Sequence, residues 1–248
     1  MKHIAGWLTD NRFTVLLCAL MILVFASPIA DVVRKKSPGL FSQLLVLICL
    51  DIMLLSALFA ISRSRRQLIT AALLSVPGLI LQIVDTFYAT AQIRGCGYLF
   101  TIVFLGYVIV LIINTLFRQR TVNANIICAS LCAYLLIGLL WAFIYSLIEI
   151  FLPGSFSISD AHLDVSRDLN VTGAQSGFAI YYSLITLSTL GYGDVIAVNP
   201  ISRAFAYSEA VVGQIYLTVL VARLVGLQIS QTLLSNTERG RKPPQSQS

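Results

Sequence analysis

The chain has 248 residues, of which 57% are hydrophobic and only 11% are charged, and its mean hydropathy is +0.85. This composition excludes an ordinary water-soluble domain, whose surface needs more charge, and it predicts an integral membrane protein. The net charge of +6 does not indicate a nucleic-acid partner, because the basic residues fall in short groups between apolar segments, as in loops that face the cytoplasm.

Six segments are apolar over about 20 residues, the length that a helix needs to cross the roughly 30 Å of hydrocarbon in a bilayer. They run over Phe13–Ala30, Leu40–Ile61, Leu68–Asp85, Gly97–Phe117, Ile126–Phe151 and Ile201–Gly226. Pro77 and Gly78 interrupt the third segment and favour a kink there. The sequence therefore predicts an all-α integral membrane fold with six transmembrane helices.

The distribution of lysine and arginine predicts the orientation of these helices. With both termini in the cytoplasm, eleven of the 17 basic residues lie on the inner side, including Arg63, Arg65, Arg66, Arg118 and Arg120. The loop after the first helix, with three basic residues, is the one exception. We expect a multi-pass protein of the plasma or bacterial inner membrane with both termini cytoplasmic.

The region between the fifth and sixth helices is not a simple loop. Residues 176–188 are apolar enough to enter a membrane but too few to cross it. The chain then reads Thr189-Leu190-Gly191-Tyr192-Gly193-Asp194. This pattern predicts a re-entrant pore helix followed by an extended loop, which is tolerated at membrane depth only where it is buried in protein or lines a water-filled cavity.

The two glycines of this loop indicate what it can bind. Gly191 and Gly193 can adopt positive φ at little cost, so successive backbone carbonyls can turn to the same side of the strand. Several such strands around one axis would replace the hydration shell of a cation with carbonyl oxygens, and the Thr189 hydroxyl would add one more ring of oxygens.

The segment Thr189–Asp194 resembles the selectivity filter of the potassium channel superfamily, whose signature is Thr-x-Gly-Tyr-Gly, usually followed by Asp. Leu190 departs from the valine that is commoner at its position. The resemblance covers residues 126–230 and implies a homotetramer, because each chain supplies one filter strand. It implies potassium sites formed by Thr189, Leu190, Gly191 and Tyr192, with Gly193 completing the filter.

The resemblance also implies roles for residues around the filter. Filter support is expected from Tyr181, Tyr182, Thr186, Asp194 and Glu209, with Asp194 bonding an aromatic hydroxyl such as that of Tyr181. Gly213 falls at the position of a hinge glycine in the inner helix. Helical spacing places Gln214, Leu217 and Val221 on one stripe, which the resemblance turns toward the conduction path.

Three domains follow from this reading. Residues 1–120 form a four-helix peripheral bundle, residues 121–230 a pore domain, and residues 231–248 a disordered cytoplasmic tail. The bundle occupies the place of a voltage sensor, but its fourth helix has no arginine between Gly97 and Phe117. Asp51, inside the second helix, is either a functional carboxylate or one that bonds a neighbouring helix to fix packing.

The sequence thus predicts a passive, potassium-selective channel with little or no voltage gating, in a lipid bilayer, with three identical partner subunits. A nonselective cation channel is the alternative. We expect no enzymatic activity, because no catalytic carboxylate pair, metal-ligand histidines or nucleophile motif lies at a membrane face. No cofactor is expected besides the permeant potassium ions.

Overall fold

The computed structural model of the protein describes residues 11–36, 40–61, 65–88, 90–119, 123–158 and 177–240. Within these ranges the chain forms seven helices and two short strands. The elements are α1 (Arg12–Lys36), α2 (Leu40–Ile61), α3 (Arg65–Tyr88), α4 (Ala91–Arg118), α5 (Ala124–Phe151), β1 (Phe156–Ile158), α6 (Gly177–Leu187), β2 (Val195–Ala197) and α7 (Pro200–Gly240). Both chain ends, which the sequence assigns to the cytoplasm, lie outside the described residues, as do Arg63 and Arg120.

Five helices are long and apolar enough to cross a membrane: α1, α3, α4, α5 and α7. Within α2, the stretch Ile48–Ala60 is apolar but is by itself too short to cross a membrane. α6 is also apolar, and its 11 residues extend only about 16 Å. The all-α, multi-pass membrane fold expected from the sequence is therefore present, and a count of six spans stays a prediction.

Two helices can be set against the expectations for them. α3 continues through Pro77 as one helix, and the kink favoured there stays a prediction. α7 continues to Gly240, so residues 231–240 are helical and the prediction of a tail that is disordered from residue 231 was wrong for them. Extending an existing helix needs no new nucleation, which explains why a polar sequence can continue it. Residues 241–248 lie outside the described part of the chain.

The helices pack around α5, which contacts α1, α4, α6 and α7. The Cys132 thiol of α5 is fully buried and donates a hydrogen bond to the Phe13 carbonyl of α1, at 3.3 Å. On its other side, α5 approaches α6 at Gly138, where an added Cβ would lie 2.9 Å from a methyl carbon of Leu184. Small residues at such crossings let membrane helices come close enough for dense packing, which drives their association in lipid.

Charged side chains hold the two ends of α4. At its beginning, Arg94 forms an ion pair of 2.9 Å with Asp85 of α3, and both side chains are largely buried. Near its C-terminal end, Arg223 of α7 donates to the carbonyl of Gln119 at 2.9 Å and lies over the ring of Phe117. The α4 helix is thereby tied to α3 at one end and to α7 at the other.

A small hairpin follows α5. The carboxylate of Glu149 accepts hydrogen bonds from the backbone N–H groups of Gly154 and Ser155, at 2.6 and 3.1 Å, and so closes the turn after the helix. β1 then pairs antiparallel with β2, with Phe156 opposite Ala197. Because β2 directly follows the segment Thr189–Asp194, the hairpin fixes where that segment ends.

Candidate functional site

The site consists of α6, the segment Thr189–Asp194, which we call the filter segment, and the facing parts of α5 and α7. α6 ends at Leu187, and the filter segment turns back on its last turn. The N–H of Thr189 donates to the Thr186 carbonyl at 2.9 Å, and the N–H of Leu190 donates to the Ile185 carbonyl at 2.8 Å. These bonds set the point from which the segment extends.

The backbone of the filter segment alternates in conformation. Thr189, Gly191 and Gly193 have positive φ, of 58°, 50° and 79°, whereas Leu190 and Tyr192 do not. Such alternation turns successive carbonyls toward one side instead of opposite sides. Thr189 is the notable member, because a β-branched residue in the left-handed region costs roughly 1–2 kcal/mol. Positive φ was predicted only for the two glycines.

The filter segment has little cover from its own chain. Residues 189–193 are all exposed, and Leu190 and Tyr192 expose 55% and 69% of their surface. The segment follows a short helix and precedes a long one, so its polar backbone lies beside apolar elements. Exposed irregular backbone of this kind cannot face lipid, since no water is present there to satisfy its N–H and C=O groups.

The end of the filter segment is anchored to α6 by a side-chain bond. The Tyr181 hydroxyl donates to the Asp194 carboxylate at 2.5 Å. This is the pair of residues that the sequence analysis expected to be bonded. The other carboxylate oxygen of Asp194 accepts from the backbone N–H of Val195 at 3.0 Å. Asp194 therefore links α6 to the first residue of β2.

An aromatic cluster lies behind α6. Tyr182 is buried, and its ring contacts those of Tyr145, Phe156 and Phe178 with centroids 5.0 to 6.2 Å apart. Thr186, one turn further along α6, is half-buried. The predicted support Tyr182 thus lies on the side of α6 that faces the protein interior.

Glu209 of α7 is fully buried and joins three helices. Its carboxylate accepts hydrogen bonds from the Tyr145 hydroxyl of α5 and from the Ser183 hydroxyl of α6. The Ser183 hydroxyl also lies 2.6 Å from the Gly138 carbonyl of α5. Tyr145 and Ser183 were missed by sequence reasoning, because neither belongs to a motif and only the three-dimensional packing brings them to Glu209.

One turn after Glu209, α7 comes into backbone contact with the end of α6. Gly213 is buried, and a Cβ added to it would collide with the carbonyl of Leu187. The helix is continuous through this glycine. The structure therefore gives Gly213 a packing contact, and the hinge implied by the resemblance stays a prediction.

The three residues of the expected cavity stripe differ in their surroundings. The side-chain amide of Gln214 donates to the Thr189 hydroxyl at 3.1 Å. Leu217 is half-buried, and Val221 is 56% exposed.

Asp51, the carboxylate within α2, has one buried oxygen without a hydrogen-bond partner among the described residues.

Comparison with known proteins bears on the same region. Residues 133–228, which include α6, the filter segment and most of α5 and α7, match a family model described as "Ion channel". No curated protein and no solved structure matches the chain. The apolar helices indicate a multi-pass membrane protein, and residues 133–228 of it are similar to an ion-channel domain.

Proposed function

We propose that the chain is one subunit of a homotetrameric, potassium-selective channel whose filter is the segment Thr189–Asp194. The observation that carries the proposal is the alternation of positive and negative φ over residues 189–193. This backbone directs consecutive carbonyls to one side, which is the arrangement that can replace the hydration shell of a cation.

The chemistry of the site favours a dehydrated monovalent cation. The carbonyls of Thr189, Leu190, Gly191 and Tyr192 and the Thr189 hydroxyl are neutral oxygen ligands, and they can hold an ion without binding it too tightly to leave. The C-terminal end of α6, just before the segment, carries the negative end of a helix dipole. Both contributions favour cations over anions.

A fourfold assembly follows from the same features. One exposed filter strand can line only part of a conduction path, and closed cyclic symmetry supplies the remaining strands from identical copies. The part of α7 after Gly213 carries apolar side chains that are largely exposed. Ile215, Val219 and Val225 are each 45% to 58% exposed. Copies of the chain would cover this apolar surface together with the filter segment.

The pore region is completed by the stripe Gln214, Leu217 and Val221, which lines a cavity below the filter in this proposal. The tetramer resides in a plasma or bacterial inner membrane with its termini in the cytoplasm. Conduction is passive and needs no cofactor.

The direct test is ion flux through the purified protein in liposomes. A potassium or rubidium flux at least tenfold faster than the sodium flux, a difference of about 1.4 kcal/mol, is the expected result. Equal potassium and sodium fluxes would instead support a nonselective cation channel. Absence of any flux from correctly assembled tetramers, under varied voltage and pH, would contradict the channel assignment.

A further inference from the structure

The contact between Gln214 and Thr189 joins the transmembrane helix α7 to the first residue of the filter segment. The amide nitrogen of Gln214 lies 3.1 Å from the Thr189 hydroxyl oxygen, within one chain. From this contact we infer that Gln214 is a positioning residue for the lowest ion site of the filter. The inference rests on the proposed function, because it assigns an ion-binding role to the Thr189 hydroxyl.

The approach of α7 to α6 makes this contact possible. Gly213 packs directly against the Leu187 carbonyl, with no room for a Cβ. Gln214 is the next residue of α7, and Thr189 follows Leu187 by two positions. The backbone contact at Gly213 therefore fixes the height and rotation of α7 at which the Gln214 side chain reaches the hydroxyl.

Thr189 needs such a support more than its neighbours in the filter segment. Its φ of 58° is unfavourable for a β-branched residue, so the conformation persists only if the surroundings hold it. The backbone N–H of Thr189 is bonded to the Thr186 carbonyl. Gln214 adds a bond on the side chain, so the residue is held at both its backbone and its hydroxyl.

The chemistry of the bond leaves the hydroxyl able to bind an ion. A threonine hydroxyl has one proton and two lone pairs. An N–H donated by Gln214 occupies one lone pair and selects one of the few χ1 rotamers that a β-branched side chain can adopt. The other lone pair is then free to coordinate a cation, in the same place in each of four subunits.

The test compares Gln214→Met, Thr189→Val and the double variant with the wild-type tetramer. Methionine keeps the length of glutamine and removes the hydrogen bond, and valine keeps the shape of threonine and removes the hydroxyl. Two quantities are measured: the potassium concentration that half-saturates single-channel conductance, and the potassium concentration that half-saturates thermal stabilisation of the tetramer. The second measurement does not require the channel to open.

Gln214→Met is expected to raise both concentrations roughly three- to tenfold, about the effect of losing one hydrogen bond at the site. Thr189→Val should raise them at least as much, and the double variant should equal Thr189→Val, because both substitutions remove the same bond. Gln214→Leu serves as the second variant if the methionine variant does not assemble.

Tyr216→Phe is the matched control. Tyr216 lies two residues further along α7, and its hydroxyl donates to the Ser130 carbonyl of α5 at 2.7 Å, away from the filter segment. This variant should leave both potassium concentrations unchanged. An equal shift in Tyr216→Phe, additive effects in the double variant, or wild-type behaviour of Gln214→Met would each overturn the inference. A wild-type protein without potassium selectivity would overturn the proposed function instead.

Discussion

The carboxylate of Glu209 accepts a hydrogen bond from the hydroxyl of Ser183, and both residues are fully buried. The bond joins α7 to the helix that precedes the filter segment. Tyr145 adds a second bond from α5 to the same carboxylate. Lipid gives packed helices no hydrophobic driving force, so polar contacts of this kind contribute directly to holding them together. One carboxylate therefore fixes α6 between α5 and α7.

Ser183→Ala should destabilise the protein by about 1–3 kcal/mol, because one oxygen of a buried carboxylate loses its partner. Thermal unfolding in detergent measures the change. Ser188→Ala is the control, since Ser188 is the exposed residue just after α6 and its hydroxyl donates to the Leu184 carbonyl of α6 at 2.7 Å, with no bond to Glu209. Equal destabilisation by the two variants would show that the link to Glu209 contributes nothing.

Tyr181→Phe should shorten the open periods of the channel while leaving its unitary current nearly unchanged. The substitution removes the 2.5 Å bond to Asp194 at the far end of the filter segment, where the structure must resist collapse, and it does not touch the carbonyls. Single-channel recording gives both quantities. Tyr207→Phe, at a 67% exposed tyrosine of α7, is the comparison variant. A reduced current with unchanged open periods would contradict the anchoring role.

Gly191→Ala should reduce potassium-over-sodium selectivity by about tenfold or more. At a φ of 50°, alanine costs roughly 1–2 kcal/mol and favours a backbone that turns its carbonyl away. Reversal potentials under mixed potassium and sodium measure the effect. Gly154→Ala tests for strain alone, because Gly154 has a φ of 80° and open space around it but lies in the turn after α5. Selectivity should survive in that variant.

Gly213→Ala should weaken the packing of α7 on α6, because its Cβ would collide with the Leu187 carbonyl. We expect a loss of at least about 2 kcal/mol of stability, typical of overpacking against a backbone that cannot move. Gly226→Ala, in the same helix but with nothing within 4 Å of the added carbon, should be neutral or stabilise by up to about 1 kcal/mol. Thermal unfolding of the two variants distinguishes a packing role from a requirement for flexibility.

Opening should depend little on voltage through α1 to α4. Moving one elementary charge across the membrane supplies about 2.3 kcal/mol per 100 mV, so steep gating needs several mobile charges per subunit. The basic residues of α4 lie near its two ends, and Arg94 is held in the ion pair with Asp85. A plot of open probability against voltage should give less than about one gating charge per tetramer. The prediction would be refuted by a slope that corresponds to several gating charges per tetramer and that disappears when residues of α1 to α4 are mutated.

Hydropathy predicted the helices closely, because crossing a bilayer requires long apolar stretches that are visible in one dimension. α2 begins and ends where expected, at Leu40 and Ile61, and α6 covers Gly177–Leu187 within the predicted apolar run. The helical end of α7 was not predicted, because polar residues there suit either a helix or a disordered tail. Its continuation depends on the helix that precedes it.

Spacing along the chain identified the candidate site only where its residues are close together in sequence, and Glu209 was named through the resemblance instead. The glycines of the filter segment and the Tyr181–Asp194 pair belong to one short stretch. The contact between Gln214 and Thr189 spans 25 positions, and that between Tyr145 and Glu209 spans 64. No pattern in a single sequence records such distances, because the packing of several helices determines them.

The exposed backbone of the filter segment has a consequence for how the protein is made. A newly inserted single copy would present that irregular backbone to lipid, where its polar groups have no partners. In the proposed tetramer, newly synthesised copies must therefore find one another soon after insertion, or be degraded as unassembled protein. A defective copy that still joins such a tetramer would carry its damaged strand into the shared pore, so harmful alleles of this chain should then act dominantly when co-expressed with the intact form.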